Sequence, residues 1–167
     1  KVLNYVQVLT GEKTVGRHAA IVGAGGIGFD VAEFLTHAGP STSQDRRAFL
    51  DQWGIDPAYR MAGGLSSSGP APHRPARTVY LLQRRASKMG KDLGKTTGWI
   101  GRSTLKMSQV TMIAGGAYDR IDDQGLHLTV DGRPQILPVA HVVICAGQVS
   151  LRNLEPDIAE AGTAVSL

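Results

Sequence analysis

Gly23-Ala24-Gly25-Gly26-Ile27-Gly28 follows the apolar run Ala19-Ala20-Ile21-Val22 and precedes a stretch with helical periodicity. Glycines spaced this way, between a strand and a helix, suit the diphosphate of a dinucleotide. Gly23 allows a tight turn, Gly25 lets the backbone approach the ligand, and Gly28 lets helix and strand pack closely. Gly26 and Ile27 open the helix, whose free N–H groups and positive dipole end favour phosphate. A glycine-rich turn without a ligand has the same letters, so the context carries the argument.

The second chemical signal is Gln83-Arg84-Arg85, at the end of the next strand-like run, Thr78–Gln83. In a dinucleotide fold an acid ~20 residues beyond the glycines holds the ribose 2′-hydroxyl of NAD. Here Arg84 stands 56 residues after Gly28, because a long insertion intervenes, and no acid occupies the strand end. Guanidinium groups there make bidentate, charge-assisted bonds to a 2′-phosphate, which an acid would repel. The pair therefore points to NADPH rather than NADH, with Arg84 favoured over Arg85; the bland alternative is two arginines solvating a strand end. Lys95, with Gly94, Thr96 and Thr97, lies in the loop before the next helix. It offers further phosphate or ribose contacts, or only loop polarity.

The elements that must hold these residues follow from periodicity. Val2, Leu3, Val6 and Leu9 have helical spacing up to Gly11. Ala19–Val22 reads as a buried parallel strand. A helix is expected from Gly26 to His37, with Ile27, Val31, Phe34 and Leu35 on one face, stopped by Gly39-Pro40. Ser41-Thr42-Ser43 is a candidate cap for a helix from Gln44 to Trp53 with Ala48, Phe49, Leu50 and Trp53 as its apolar side. Residues 54–77 are rich in Gly, Pro and Ser and read as irregular; residues 40–77 together form an insertion within one domain spanning 1–167. Thr78–Gln83 is the second strand. Trp99, Ile100, Leu105 and Met107 mark a helix near 97–108, and Val110–Ala114 a third strand. Tyr118–Ile121, Leu126–Val130 and Gln135–Val139 form an antiparallel meander whose Asp131-Gly132 is a type I′ hairpin signal. Val142–Cys145 is a last buried strand. A helix is expected to begin after Ser150. The fold class is α/β: a Rossmann-like parallel sheet with an antiparallel meander crossover, in three layers.

The chain has 167 residues, 42% hydrophobic, with a formal net charge of +4. Between Arg84 and Lys106 seven basic residues face one acid, Asp92, a field suited to an anionic ligand. Nucleic acid is disfavoured, because the segment lacks interleaved aromatics and no helix-turn-helix or zinc-finger spacing occurs. No apolar run reaches the ~20 residues that span a bilayer. The start at Lys1 rather than Met gives the expectation of a piece of a longer chain. The lone Cys145 excludes an internal disulfide and a self-contained iron–sulfur or zinc site, and reads as a small core hydrophobe. His18, His37, His73, His127 and His141 show no metal spacing, and no nucleophile triad is legible. Asp122-Asp123 reads as a turn. Asp30 either faces the nicotinamide side or stabilises the helix dipole.

Four stretches carry a family resemblance: Gly23–Asp30, Leu82–Lys88, Leu93–Ile100 and Val143–Gln148. With them go Trp53–Asp56 and Ala62–Ser66 of the insertion. Over residues 2–166 the chain resembles the C-terminal region of bacterial NADPH-dependent 2,4-dienoyl-CoA reductases, of the NADH:flavin oxidoreductase (old-yellow-enzyme-like) family. It departs from their pattern at Val149-Ser150-Leu151-Arg152. The resemblance implies a cytoplasmic enzyme of fatty-acid β-oxidation with an FMN- and 4Fe–4S-bearing barrel joined to FAD and NADPH domains. This chain would be the NADPH domain alone, inactive by itself, with the FAD domain and the FMN barrel as its partners. NADPH contacts carried over are Gly25, Gly26, Gly28, Arg84 and Arg85, then Lys95 and Gly147, with the Ala146-Gly147 turn closing the cleft. Other readings are the NAD(P)H domain of a related barrel flavoenzyme, such as an enoate reductase or amine dehydrogenase relative, a non-catalytic nucleotide-binding module, and an FAD domain. Arg84-Arg85 argues against the last, because FAD has no 2′-phosphate.

Overall fold

The computed structural model describes residues 1–148 and 150–160. Five parallel strands form the central sheet: β1 (Val2–Asn4), β2 (His18–Val22), β3 (Thr78–Gln83), β4 (Thr111–Ala114) and β8 (His141–Ile144), in the order β1-β8-β2-β3-β4. A second sheet is the antiparallel meander β5 (Gly116–Asp122), β6 (Gly125–Val130) and β7 (Arg133–Leu137). The described helices are α1 (Tyr5–Leu9), α2 (Gly26–Thr36), α3 (Arg46–Trp53), α4 (Gly98–Met107) and α5 (Glu155–Glu160).

Alternation along the parallel strands builds two cores, one on each face. Ala19 and Ile21 of β2, Val79 and Leu81 of β3, and Val143 of β8 pack with Val31 and Leu35 of α2 and Leu105 of α4. Ala20, Leu82 and Val142 point the other way and pack with Leu126, Leu128 and Leu137 of the meander. The register Ile21↔Leu81 and Ile21↔Val143 aligns the helix-side residues across three strands. Helices, parallel sheet and meander are thus the three layers expected. The Asp131-Gly132 turn has φ of 50° and 73°, as a type I′ turn requires.

Several local expectations are corrected. Residues 2–4 are not helical: they form β1, because pairing with β8 (Leu3↔Val143) satisfies their backbone. The helix starts only at Tyr5, where Asn4 Oδ1 accepts the Val6 N–H (2.8 Å) and Gln7 Oε1 accepts the Asn4 N–H (3.2 Å). On α2, Phe34 is half exposed, and Phe29 and Ala32 supply the packing instead. Ser41 caps only a 3₁₀ turn at Thr42–Gln44; α3 begins after Asp45, whose carboxylate accepts the Arg47 and Ala48 N–H groups. On α4, Trp99 and Ile100 are exposed, and Leu105 is the buried anchor. The meander ends at Leu137 rather than Val139.

Residues 54–77 are largely irregular, with a 3₁₀ turn at Ala62–Gly64 and a bridge Ile55↔Leu65. Asp56 organises them: its carboxylate accepts N–H bonds from Ala58 (3.0 Å) and Arg60 (3.2 Å) and pairs with Arg60 Nε (3.0 Å). Arg60 draws the Asp56 carboxyl down to about 2, with the Ala58 N–H adding to the effect.

Candidate nucleotide-binding cleft

A cleft of about 350 Å³ opens at the carboxyl ends of β2, β3 and β8. The chain leaves β2 for β3 on one side while β8 returns on the other, so this is where the strand order reverses. Open α/β sheets bind ligands at that place. The glycine loop forms one wall, from Gly23 to Gly26. Arg84, Arg85 and the loop carrying Ser87, Lys88, Lys91 and Asp92 form the opposite wall, and Cys145 and Ala146 close one end.

The three fingerprint glycines meet different surroundings. Gly23 has φ +115°, its N–H donates to Leu82 O (2.9 Å), and a Cβ there would strike the Cys145 carbonyl. Gly28 is buried, and a Cβ on it would collide with the Gly23 carbonyl oxygen. A Cβ on Gly25 or Gly26 would meet nothing within 4 Å. Among the described residues no packing demands glycine at these two positions. They face the space a ligand would fill. Gly25 is the N-cap of α2 and supplies no side-chain bond, and the first turn carries no acid. The N-terminal N–H groups of an eleven-residue helix therefore face the cleft with their dipole unneutralised. Ile27 is half-buried and packs against the helix-side core.

The cationic wall is built by side chain–backbone bonds. The Gln83 amide donates to the carbonyls of Arg85 (2.9 Å) and Ser87, folding the chain just past β3. The Gly115 N–H donates to Arg85 O (3.1 Å), tying the turn before β5 to this wall. Arg102 Nη1 donates to Gly90 O (3.1 Å), anchoring the loop to α4. Four cations, Arg84, Arg85, Lys88 and Lys91, thus border the cleft against one carboxylate, Asp92. Arg85 Nη1 lies 3.5 Å from Asp92 Oδ2, while Arg84 is exposed and forms no ion pair among the described residues.

The other sequence candidates fall at differing distances from the cleft. Lys95 is exposed in the loop before α4, outside the cleft lining. Gly147 follows the lining residue Ala146 with φ +79° and is exposed. Asp30 is exposed and borders a separate recess between α2 and α4, with Glu33 and Thr97. Cys145 is not a sealed core residue: it stands one residue past β8, half-buried, at the cleft. Burial raises its thiol to about 11, which leaves it a poor nucleophile. His127 is buried, with Nε2 2.8 Å from Asp122 Oδ2, and His141 Nδ1 accepts the Gly16 N–H (3.0 Å). His18, His37 and His73 are exposed. Among the described residues no group of three or more His, Cys, Asp or Glu could hold a metal, and no helix is long and apolar enough to cross a membrane.

One cleft residue was not foreseen from sequence. Tyr118 of β5 borders the cleft, and its hydroxyl is buried without a hydrogen-bond partner among the described residues. In the sequence it is one aromatic in an alternating strand, with nothing to distinguish it from packing.

Comparison with known proteins agrees on the fold. No protein-family profile matches the chain. A metal reductase of Desulforamulus reducens is 26% identical over 156 residues, which take in 92% of this chain and 22% of that protein. The chain therefore spans about a fifth of that relative's length. Among solved structures, a 2-naphthoyl-CoA reductase superposes with TM-score 0.60 at 14% identity, over 87% of this chain and 16% of that one. The 6-hydroxypseudooxynicotine amine oxidase of Pseudomonas geniculata N1 gives TM-score 0.58 at 14% identity, over 96% and 19%. The HOCl-induced flavoprotein disulfide reductase RclA of Escherichia coli gives 0.52 at 17%, over 99% and 29%. The fold is thus one that oxidoreductases carry as part of a longer chain.

Proposed function

We propose that this chain is the NADPH-binding domain of a flavin-dependent reductase. The observation that supports it best is the pairing, in one cleft, of an open glycine loop at a helix N-terminus with Arg84, a cation without an ion-pair partner among the described residues at the end of β3. Gly25 and Gly26 admit the diphosphate to the backbone N–H groups of α2. Arg84 meets the 2′-phosphate. NADPH, when bound, supplies a hydride; the chain's residues bind and orient it and need no nucleophile or metal of their own. The raised thiol of Cys145 fits this reading, because the cysteine that borders the cleft is not primed for covalent chemistry.

The finer reading follows the resemblance to 2,4-dienoyl-CoA reductases. In that reading FAD would sit on a neighbouring domain, and a 4Fe–4S cluster and FMN in a barrel would supply the electron transfer to an unsaturated acyl-CoA in a cytoplasmic enzyme, while this chain's Gly25, Gly26 and Arg84 would hold only the NADPH. The 26% identity to a metal reductase favours a second terminal acceptor, an oxidised metal ion, for the same NADPH arm. Calorimetric titration of the chain with NADPH and NADH at one fixed salt concentration tests the core proposal. NADPH is expected to bind more tightly. Equal affinities overturn the role of Arg84, and a purified chain carrying a yellow flavin contradicts the assignment as the nicotinamide domain. Turnover of a dienoyl-CoA against ferric ion by a longer chain containing this segment separates the two acceptors.

A further inference from the structure

Tyr118 carries an anomaly that the cleft itself explains. Buried polar groups in proteins are nearly always paired, and an orphan hydroxyl calls for a specific reason. The Tyr118 hydroxyl is shut off from solvent and has no partner among the described residues, although the residue borders the cleft. Its position is set by the backbone. The β3–β4 register pairs Gln83 with Ala114, and the Gly115 N–H is bonded to Arg85 O (3.1 Å). Tyr118, three residues further on, is therefore carried back beside the strand end that bears Arg84. Tyr118 also borders a recess walled by Val22, Ile121, Leu126 and Ile144 together with Asp119 and Arg120, whose side chains are bonded to Thr129 Oγ1 (3.1 Å) and to Asp122 (3.1 Å) and not to the hydroxyl. The cleft is the side on which a ligand would bring the hydroxyl an acceptor. Burial holds the phenol above its usual range, and the charge of Arg84 opposes the shift only in part. At neutral pH the group is a hydrogen-bond donor.

We propose that Tyr118 is a specificity-determining residue whose O–H donates to the 2′-phosphate of the adenosine ribose, alongside Arg84. The inference rests on the NADPH reading above. A phosphate oxygen supplies the acceptor the hydroxyl lacks, and a hydrogen bond to a charged acceptor discriminates strongly against a ligand that lacks it. NADH ends there in a 2′-hydroxyl, which is uncharged and reaches less far than a phosphate, so it offers the phenol a weaker acceptor.

Tyr118→Phe tests this in the full 167-residue chain. The variant removes one oxygen and keeps the ring, so packing is retained. Calorimetry at fixed salt is expected to give about tenfold or greater weakening for NADPH, the scale of one charged hydrogen bond, with NADH changed less than about twofold. The melting temperature is expected to stay level or rise, because no native bond is lost. Unchanged NADPH affinity in the variant, with the wild type still preferring NADPH, overturns the role of Tyr118 and leaves the functional reading intact. Equal weakening for both cofactors also overturns it. A wild type that binds neither overturns the reading and the inference together. A clear fall in melting temperature shows that the hydroxyl has a structural partner, and that too sinks the proposal.

Discussion

The Gly23 carbonyl oxygen occupies the place a Cβ on Gly28 would take, so loop and helix are locked together by the absence of one methyl group. Gly25, between them in sequence, faces open space. The two glycines should therefore fail in opposite ways. Gly28→Ala forces backbone to shift and should cost roughly 1–3 kcal/mol of stability, read by urea denaturation. Gly25→Val should melt near the wild-type temperature yet lose binding of NADPH and NADH alike, read by calorimetry. Wild-type binding by Gly25→Val would take the loop out of the site.

Arg84 and Arg85 are neighbours with different engagements. Arg85 is within 3.5 Å of Asp92, and Arg84 has no such partner among the described residues. Arg84→Ala should weaken NADPH by about 1.5–3 kcal/mol, the scale of a charged hydrogen bond, and leave NADH nearly unaffected. Arg85→Ala should cost less, because its charge is already partly answered. Equal losses for NADPH and NADH in Arg84→Ala would remove its 2′-phosphate role.

What was legible in the sequence was whatever local pattern decides. Thr78–Gln83 is the observed β3 to the residue, because a continuous apolar run between a Pro-rich segment and two arginines has no other register. The Asp131-Gly132 turn was legible because positive φ is a property of the residues themselves. The glycine loop and the Arg84-Arg85 wall were legible because both sit at strand ends. The failures were non-local. Val2–Asn4 is a strand only because β8, some 140 residues later, lies beside it. Phe34 is turned outward although its spacing on α2 suits the core. The unpartnered hydroxyl of Tyr118 is visible only once the β3–β4 register and the meander bring β5 to the cleft.

Acid should loosen the insertion before it reaches the sheet. Asp56 is held at about 2 against 3.8 unperturbed, chiefly by Arg60. A carboxyl with a lowered folded value stabilises fully above its unfolded value, and that contribution fades as pH falls through the folded one. The loss should therefore run from about pH 4 down to about pH 2. Asp122, also held at about 2, chiefly by His127, titrates in the same window on the meander, so Asp56→Asn is the control. Fluorescence of Trp53, which immediately precedes the irregular segment 54–77, should shift across that window in the wild type. In Asp56→Asn the shift should already be present at neutral pH.

Cys145 stands at the cleft with its thiol raised to about 11 by burial. At pH 8 about one thiol in a thousand is then ionised, and alkylation by iodoacetamide should be about a hundredfold slower than for a free cysteine. Bound NADPH should slow it further by covering Ala146 and Cys145. Fast modification, followed by mass spectrometry, would mean that the end of β8 opens far more than its packing implies. Protection by NADPH but not by adenosine would locate the nicotinamide half near this residue.

Asp92 is the one carboxylate among the residues that line the cleft, on the same wall as Arg84 and Arg85. Its pair with Arg85 is exposed on both sides, so it stabilises the fold by only ~0–1 kcal/mol. Its charge nonetheless opposes an anionic ligand. Asp92→Asn keeps the shape, removes that repulsion and frees Arg85 to turn toward phosphate. NADPH should bind a few-fold more tightly in the variant, and NADH should gain less because it carries less negative charge. The gain should shrink between 0.05 M and 0.5 M salt, since both groups are open to screening within a Debye length of ~8–10 Å or less over most of that range. A loss of NADPH affinity in Asp92→Asn would mean that the pair holds Arg85 in its binding pose. Arg85, rather than Arg84, would then be the principal phosphate contact.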